Sequence, residues 1–365
     1  MRALQLHYTS CRAGLSGYPG FQIRTMTSEI SPADQQEIVR RGNYTPPRNL
    51  PSQPTREQIV EEFPRAFRYY SLPSGHFAMT RSCYQGQDHT QRYGNFFAHT
   101  LVGETALPPR WPIDYYEWPG WRDHLSAAED TADVPPLLPM QELTAIAPAE
   151  SFALPELALF LNEEPERMAA LAAMLCAVFQ YPATTRPVLI HDTFLNGLFW
   201  VACVQKAFPV ACLTGLSFST YQYDSRDAAL VNVAVGDTDF TFDETDRKFR
   251  YCIFDFTGGP SSEVQPIGAE YAQVVARWMA DEPEVLAKFH QFLDSLPGVQ
   301  RDLDLSFAAL LFEIQVGQRA VITISQWRLL AKWANRFAVT QPSVLDLLVA
   351  AAPKIAPGAS LDEFL

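Results

Sequence analysis

Basic charge is what this chain most lacks. It carries 28 Lys and Arg against 41 Asp and Glu, a formal net charge of −13. A surface of that sign argues against broad contact with nucleic-acid phosphates or with anionic membranes. Long apolar runs are missing too. The longest, Met168 to Phe179, falls short of the roughly 20 residues that a bilayer span requires. The amino terminus, MRALQLHYTS, has no apolar core of the signal-peptide kind. A soluble, cytoplasmic protein without a membrane partner is expected. The six cysteines, Cys11, Cys83, Cys176, Cys203, Cys212 and Cys252, include no CxxC pair. Several sit in apolar strings such as MLCAVF, so reduced core thiols are expected, not a zinc ribbon or a disulfide framework.

Specific catalytic motifs are also missing. There is no GxxxxGK followed by Ser or Thr, hence no phosphate loop of the usual NTPase kind. GxGxxG, HExxH and GxSxG do not occur. His76, His89 and His99 match no metal-ligand spacing. No cofactor, no metal and no catalytic residue is assigned. These absences lean away from an enzyme without abolishing one, because catalytic groups are often scattered along a chain. No internal repeat of fixed period is visible.

What is present is ample core material: 365 residues, 47% hydrophobic and 12% aromatic. Ala3 to Ser10 and Phe21 to Thr27 alternate, the pattern of two half-buried antiparallel strands, with His7 on the polar face. Ser31-Pro32 and Thr55-Arg-Glu-Gln58 start helices. Arg65 to Leu72 and His76 to Cys83 read as a hairpin. Leu154 to Gln180 is helical. Pro187 to His191 and the following helix resemble half of a βαβ unit, with His191 and Asp192 at the strand's carboxyl end and Asp192 or Thr193 as the helix cap. Leu213 to Tyr223, Ala228 to Val235 and Arg250 to Phe256 read as strands, and the acidic segment between the last two as a solvated loop. Helices are expected at Ala269–Ala280, Glu284–Leu296, Leu303–Val316, Ser325–Phe337 and Ser343–Ala351. The fold class is mixed: α+β and α/β amino-terminal and middle domains, then an all-helical carboxy-terminal region. The domains expected are 1–135, 150–260 and 265–365, with a boundary in the acidic, proline-rich Ala127 to Pro139. The last region reads as the start of a longer one.

Two stretches concentrate unusual side chains. Ser82 to Val102 holds Tyr84, Gly86, Asp88, His89, Arg92, Tyr93, Gly94, Asn95 and His99. Gly86 and Gly94 can take φ > 0 and let the chain reverse between them. An Asp88–Arg92 ion pair across the tip is expected, with Asn95 bonding the loop backbone and His99 projecting from the outgoing strand. That set either lines a pocket for an anionic or carbonyl-bearing ligand or locks a turn. Leu107 to Trp121 is the second stretch. Trp111, Tyr115, Trp118 and Trp121 either supply anchors for a partner or seal the first domain's core.

The blocks QLHYTS, GYPGFQIR, YQGQD with QRYGNFFAHTLV, and LSFSTY together resemble the bacterial GTPase-associated protein family. Residues up to about 140 are similar to its second type of amino-terminal domain, and those from about 150 to 260 to its middle domain. The resemblance implies an adaptor encoded beside a dedicated GTPase in bacterial conflict or antiphage systems. Its partners would be that GTPase, an effector, or both. It carries over no catalytic residue. The alternative is an enzyme or a sensor of a nucleotide or small ligand, centred on Asp88, Arg92 and His99.

Overall fold

The structure, a computed structural model, describes residues 1–126, 129–130, 132, 137–223, 229–235, 242–296, 303–336 and 343–351. The expected boundary at Ala127 to Pro139, the start of the strand at Ala228 and the end of the helix at Phe337 lie partly or wholly outside those residues. Two compact units divide the chain: Met1–Ala153 with Gln180–Val264, and Leu154–Phe179 with Gln265–Leu365. The architecture is α+β, followed by helices.

The first unit is built on one sheet. β1 (Arg2–Cys11) pairs antiparallel with β2 (Gly20–Met26), as the alternation predicts, and with β5 (Tyr93–Gly103) on its other side. β3 (Ala66–Ser71), β4 (Phe77–Gln87) and β5 form a meander. β7 (Val188–Asp192), β9 (Val231–Val235) and β10 (Cys252–Asp255) are parallel, and β8 (Phe218–Ser219) extends that set. The order is β10-β7-β9-β8-β3-β4-β5-β1-β2, ten strands in all, with β6 (Gln141–Glu142) beside β1. The parallel and antiparallel halves meet where Arg68 and Tyr69 of β3 face Ser219 and Phe218 of β8.

Local chemistry starts the helices where the sequence predicts. The Ser31 hydroxyl accepts from the Asp34 amide, 3.2 Å, and opens α1 (Pro32–Gly42). Thr55 and Gln58 form a reciprocal capping box for α2 (Arg56–Glu62). α3 (Leu154–Glu163) and α4 (Arg167–Thr184) follow. Thr193 caps α5 (Phe194–Lys206), while Asp192 accepts from the Thr193 amide, the Asn196 side chain and the Trp200 indole.

Two expectations change. β1 is buried on both faces, so Gln5, His7 and Thr9 are as enclosed as Leu4, Leu6 and Tyr8. The face that reads as polar lies under the Trp118–Arg122 segment, where Trp121 packs edge-on against His99 at 5.1 Å. The strand expected over Leu213 to Tyr223 is paired only at Phe218–Ser219. Gly215 at φ 81° bends the chain before it, and after it the Gln222 amide donates to the Val233 carbonyl, 2.8 Å.

In the second unit, α6 (Ala269–Asp281), α7 (Pro283–Asp294), α8 (Leu303–Gln315), α9 (Ile324–Asn335) and α10 (Ser343–Ala351) follow in sequence. Trp278 is a hub of that core. Its ring lies 5.1 Å from Phe289 and 5.5 Å from Phe312, and its indole N–H donates to Gln318 at 2.7 Å. Among the described residues no helix is long and apolar enough to cross a membrane. All six cysteines are buried thiols.

Candidate functional site

Ser82 to Val102 forms most of the β4–β5 hairpin. Gly86 and Gly94 take positive φ, 80° and 105°, but at irregularities in the paired strands and not at the reversal. The reversal is at Asp88 to Gln91. The Asp88 amide donates to the Arg92 carbonyl and the Gln91 amide to the Asp88 carbonyl, with Gln91 left-handed at φ 67°.

Among the described residues no ion pair joins Asp88 to the Arg92 guanidinium. The Asp88 carboxylate instead accepts from the Thr90 amide and hydroxyl, both 2.7 Å, from the Arg92 amide, 3.1 Å, and from the Ser10 hydroxyl, 3.2 Å. A short acidic side chain reaches its own backbone two residues on before it reaches a long flexible partner. Partial burial pushes this carboxyl upward, but the bonds from Thr90, Arg92 and Ser10 outweigh it and hold the pKa at about 2. Arg92 is left on the exposed tip. Asn95 accepts from the Ser10 amide and the Thr9 hydroxyl, so it ties the hairpin to β1. Tyr84 stacks on Phe63 at 4.7 Å, and its hydroxyl accepts from the Gly94 amide.

His99 belongs to the interior. Its Nε2 bonds Gln5 Oε1 at 2.9 Å and its Nδ1 accepts from the Arg122 amide at 3.1 Å. It stands edge-on to His7, 4.6 Å between centroids. Burial, then the neighbouring His7, holds its pKa well below the usual histidine value. Burial pulls His7 down to about 3. Among the described residues Asp88 and His99 share no hydrogen-bond partner: Asp88 is bonded within the turn and to Ser10, His99 to Gln5 and Arg122. Among the second stretch, Tyr115 and Trp121 are buried and Trp111 and Trp118 half-buried. The Trp121 indole donates to the Tyr115 carbonyl and the Trp111 indole to the Phe208 carbonyl, which closes the sheet's core. At the carboxyl ends of β7 and β10, His191 Nδ1 lies 3.0 Å from Asp255 Oδ2. No group of three or more His, Cys, Asp or Glu that could hold a metal occurs among the described residues.

The opposite face of the sheet carries a cleft of about 440 Å³. Tyr8, Phe21 and Phe96 line one side, with Phe21 stacked on Phe96 at 4.8 Å. Tyr44 and Tyr221 line the other, 5.4 Å between centroids. Arg40, Arg41 and Arg68 complete it, and no acidic residue is among the described residues that line it. Arg68 is 8% exposed. It donates to the Ser82 hydroxyl, 3.2 Å, and to the Asn43 carbonyl, 3.1 Å, and no carboxylate pairs with it among the described residues. Burial lowers its pKa to about 10, so it stays charged at neutral pH. In the sequence, AFRYYS gives no sign of this, because nothing local shows which strand will lie beside Arg68. The only available signal is that each block of the family resemblance contains one of the rings: Tyr8, Phe21, Phe96 and Tyr221.

Residues 2–140 match the family model of GTPase-associated protein 1, N-terminal domain type 2, and residues 157–258 match that of its middle domain. A protein named for ESX-1 scaffolding and assembly, SaeB, from Mycolicibacterium smegmatis strain mc(2)155, is 26% identical over 231 residues, 60% of this chain and 26% of its own length. Its counterpart in strain MKD8 is 27% identical over 224 residues, with the same coverage. The match therefore spans about a quarter of those relatives. No solved structure matches. With both domain models matched in order, and the rings of one cleft drawn from both segments, the chain belongs to the GTPase-associated protein 1 family.

Proposed function

We propose that this chain is a non-catalytic scaffold that binds a partner GTPase and couples it to an effector, in a bacterial conflict system of the antiphage kind. One observation carries the binding role: the polar residues of the β4–β5 hairpin are spent on holding its shape. Asp88, Asn95 and Tyr84 all bond within the hairpin or to β1, which leaves a braced tip presenting Arg92 and a 40% exposed Tyr93. Arg and Tyr on a preorganised element are the residue types that dominate protein interfaces. The family's name and the scaffolding name of the SaeB relatives support the same reading. An acidic scaffold would meet basic partner surfaces at enhanced rates.

The test is co-purification of this chain with the GTPase encoded beside it, loaded with GDP or with a non-hydrolysable GTP analogue. Binding in at least one state is expected, weakened about tenfold or more by the pair R92A and Y93A. Failure of both states to bind at micromolar concentration would sink the scaffold reading.

A further inference from the structure

On the side of β4 that β3 leaves unpaired, we infer a docking site for an extended peptide of a partner protein, added to the sheet as a further strand. The inference goes beyond the scaffold reading. It concerns the flank of the hairpin and not its tip, and a peptide alone tests it.

The backbone comes first. β3 pairs with β4 from Ser71 and Phe77 to Ala66 and Ser82, and goes no further. β5 stays with β4 as far as Gln87. Pro64 accounts for the early stop: it has no amide to give, and the chain before it turns off into α2. Cys83 to Gln87 are therefore paired on one side only. Among the described residues no backbone group outside the hairpin bonds to them. The Gln85 side-chain amide reaches the Tyr84 carbonyl, 3.1 Å, and the Asp123 carbonyl. The free edge of β10 is treated differently. There the Ser262 amide donates to the Ile253 carbonyl, 2.7 Å, and the Ser261 hydroxyl accepts from the Asp255 amide, 3.0 Å. An edge without such a backbone cover is a template for another strand, and main chain is what satisfies it.

The walls come second. Neighbouring residues of a strand point to opposite faces. Tyr84 stacks on Phe63 at 4.7 Å on one face, and Cys83 Sγ lies 3.3 Å from Asp123 on the other. One groove of about 450 Å³ is lined from both faces, so it lies along the edge between them. α2 gives it an apolar wall of Ile59 and Val60, and Val60 is 59% exposed. That volume suits a short extended segment and is too small for a folded domain. Charge narrows the occupant. Arg56 and Arg65 line the groove with one acid, Asp123. Arg56 is partly offset by its neighbour Glu57. Arg65 stands 3.9 Å from Asp123, whose nearer partner is Arg81 at 2.9 Å. The rim is thus basic in an acidic chain, and it matches a peptide of alternating apolar residues that carries Asp or Glu.

The experiment selects from a displayed library of random octapeptides on the intact chain, then measures the synthetic winner by fluorescence anisotropy. Enriched sequences are expected to alternate apolar residues and to carry an acid. An added strand turns every second N–H toward its neighbour. N-methylation of one alternate set of peptide amides should therefore weaken binding about tenfold or more, and of the other set should not. Val60→Asp, at an exposed position where the fold should tolerate it, should weaken binding about tenfold. Arg56→Glu should prefer the peptide with Lys in place of its acid. Neither variant touches Arg92, so the co-purification test of the scaffold reading stands whatever happens here. No enriched sequence, equal loss from both methylated sets, or unchanged binding to both variants would each overturn the proposal. So would a dimer of this chain that excludes the peptide, because the edge would then belong to a second copy.

Discussion

Arg68 of β3 stands directly across from Ser219 of β8, in the short ladder that joins the antiparallel half of the sheet to the parallel half. That ladder is only two residue pairs long, and a neighbouring side chain reinforces it. The Phe67 amide donates to the Thr220 hydroxyl at 2.8 Å, and the Thr220 amide donates to the Phe67 carbonyl at 2.9 Å. Thr220→Val keeps the shape and removes the acceptor, which leaves a buried N–H without a partner. A loss of about 1–3 kcal/mol is expected, read from the urea midpoint with m unchanged. An unshifted midpoint would mean that the seam is held by packing alone.

Gly197 tests how closely α5 lies on the sheet. A Cβ at this position would come within 2.4 Å of a Val233 methyl. Alanine would gain about 1 kcal/mol of helix propensity over glycine. Overpacking a core of this kind costs about 1–3 kcal/mol. The second effect should win, so Gly197→Ala is expected to lower the melting temperature, against the propensity rule. A higher melting temperature would show that the helix can lift off β9 freely.

The hairpin tip separates two accounts of Asp88. If its carboxylate works through the backbone bonds seen here, Asp88→Ala should cost about 0.5–2 kcal/mol, as loss of a side-chain cap on backbone N–H groups does, while Arg92→Ala, at an exposed position, should stay within about 0.5 kcal/mol. Equal losses would restore the ion pair expected from sequence. The folded carboxyl titrates at about 2, below its ordinary value, so its contribution is present above the ordinary value and fades as acid approaches 2.

Much of this was legible because it is local. The β1–β2 alternation, the caps at Ser31 and Thr55 and the spacing of the carboxy-terminal helices depend on residues a few positions apart. What was not legible depends on which strands become neighbours. His7 reads as an outward residue until a segment more than a hundred positions later covers it. Arg68 carries no burial signal in its own strand; it is enclosed by groups far along the chain, Tyr221 among them. The Asp88 expectation failed for a different reason. The spacing allowed an ion pair, but backbone donors closer in sequence took the carboxylate first.

His7 carries the last prediction. Neither ring nitrogen has a hydrogen-bond partner among the described residues, and the ring lies 5.1 Å from Phe97 and 4.6 Å from His99. Burial holds its pKa at about 3 against an ordinary 6.5. An unfolded chain therefore takes up a proton there as pH drops below 6.5, while the folded chain does not until about 3. Stability is full above 6.5 and falls on acidification, with a slope of about 1.4 kcal/mol per pH unit for each such histidine. His99 has a lowered pKa as well and adds to the same window. The carboxylates held low, Asp88, Glu129 and Glu142 at about 2 among them, act mainly below pH 4.5. Between pH 6.5 and 4.5 the loss should thus come largely from the histidine pair. His7→Phe removes one titrating group and a buried polar atom without a partner. It should flatten the dependence of unfolding free energy on pH by about one proton and raise stability at pH 8 by about 1 kcal/mol. Denaturant melts of both proteins across that range decide it. Parallel curves would mean that His7 titrates normally and that water reaches the interior of the sheet's covered face.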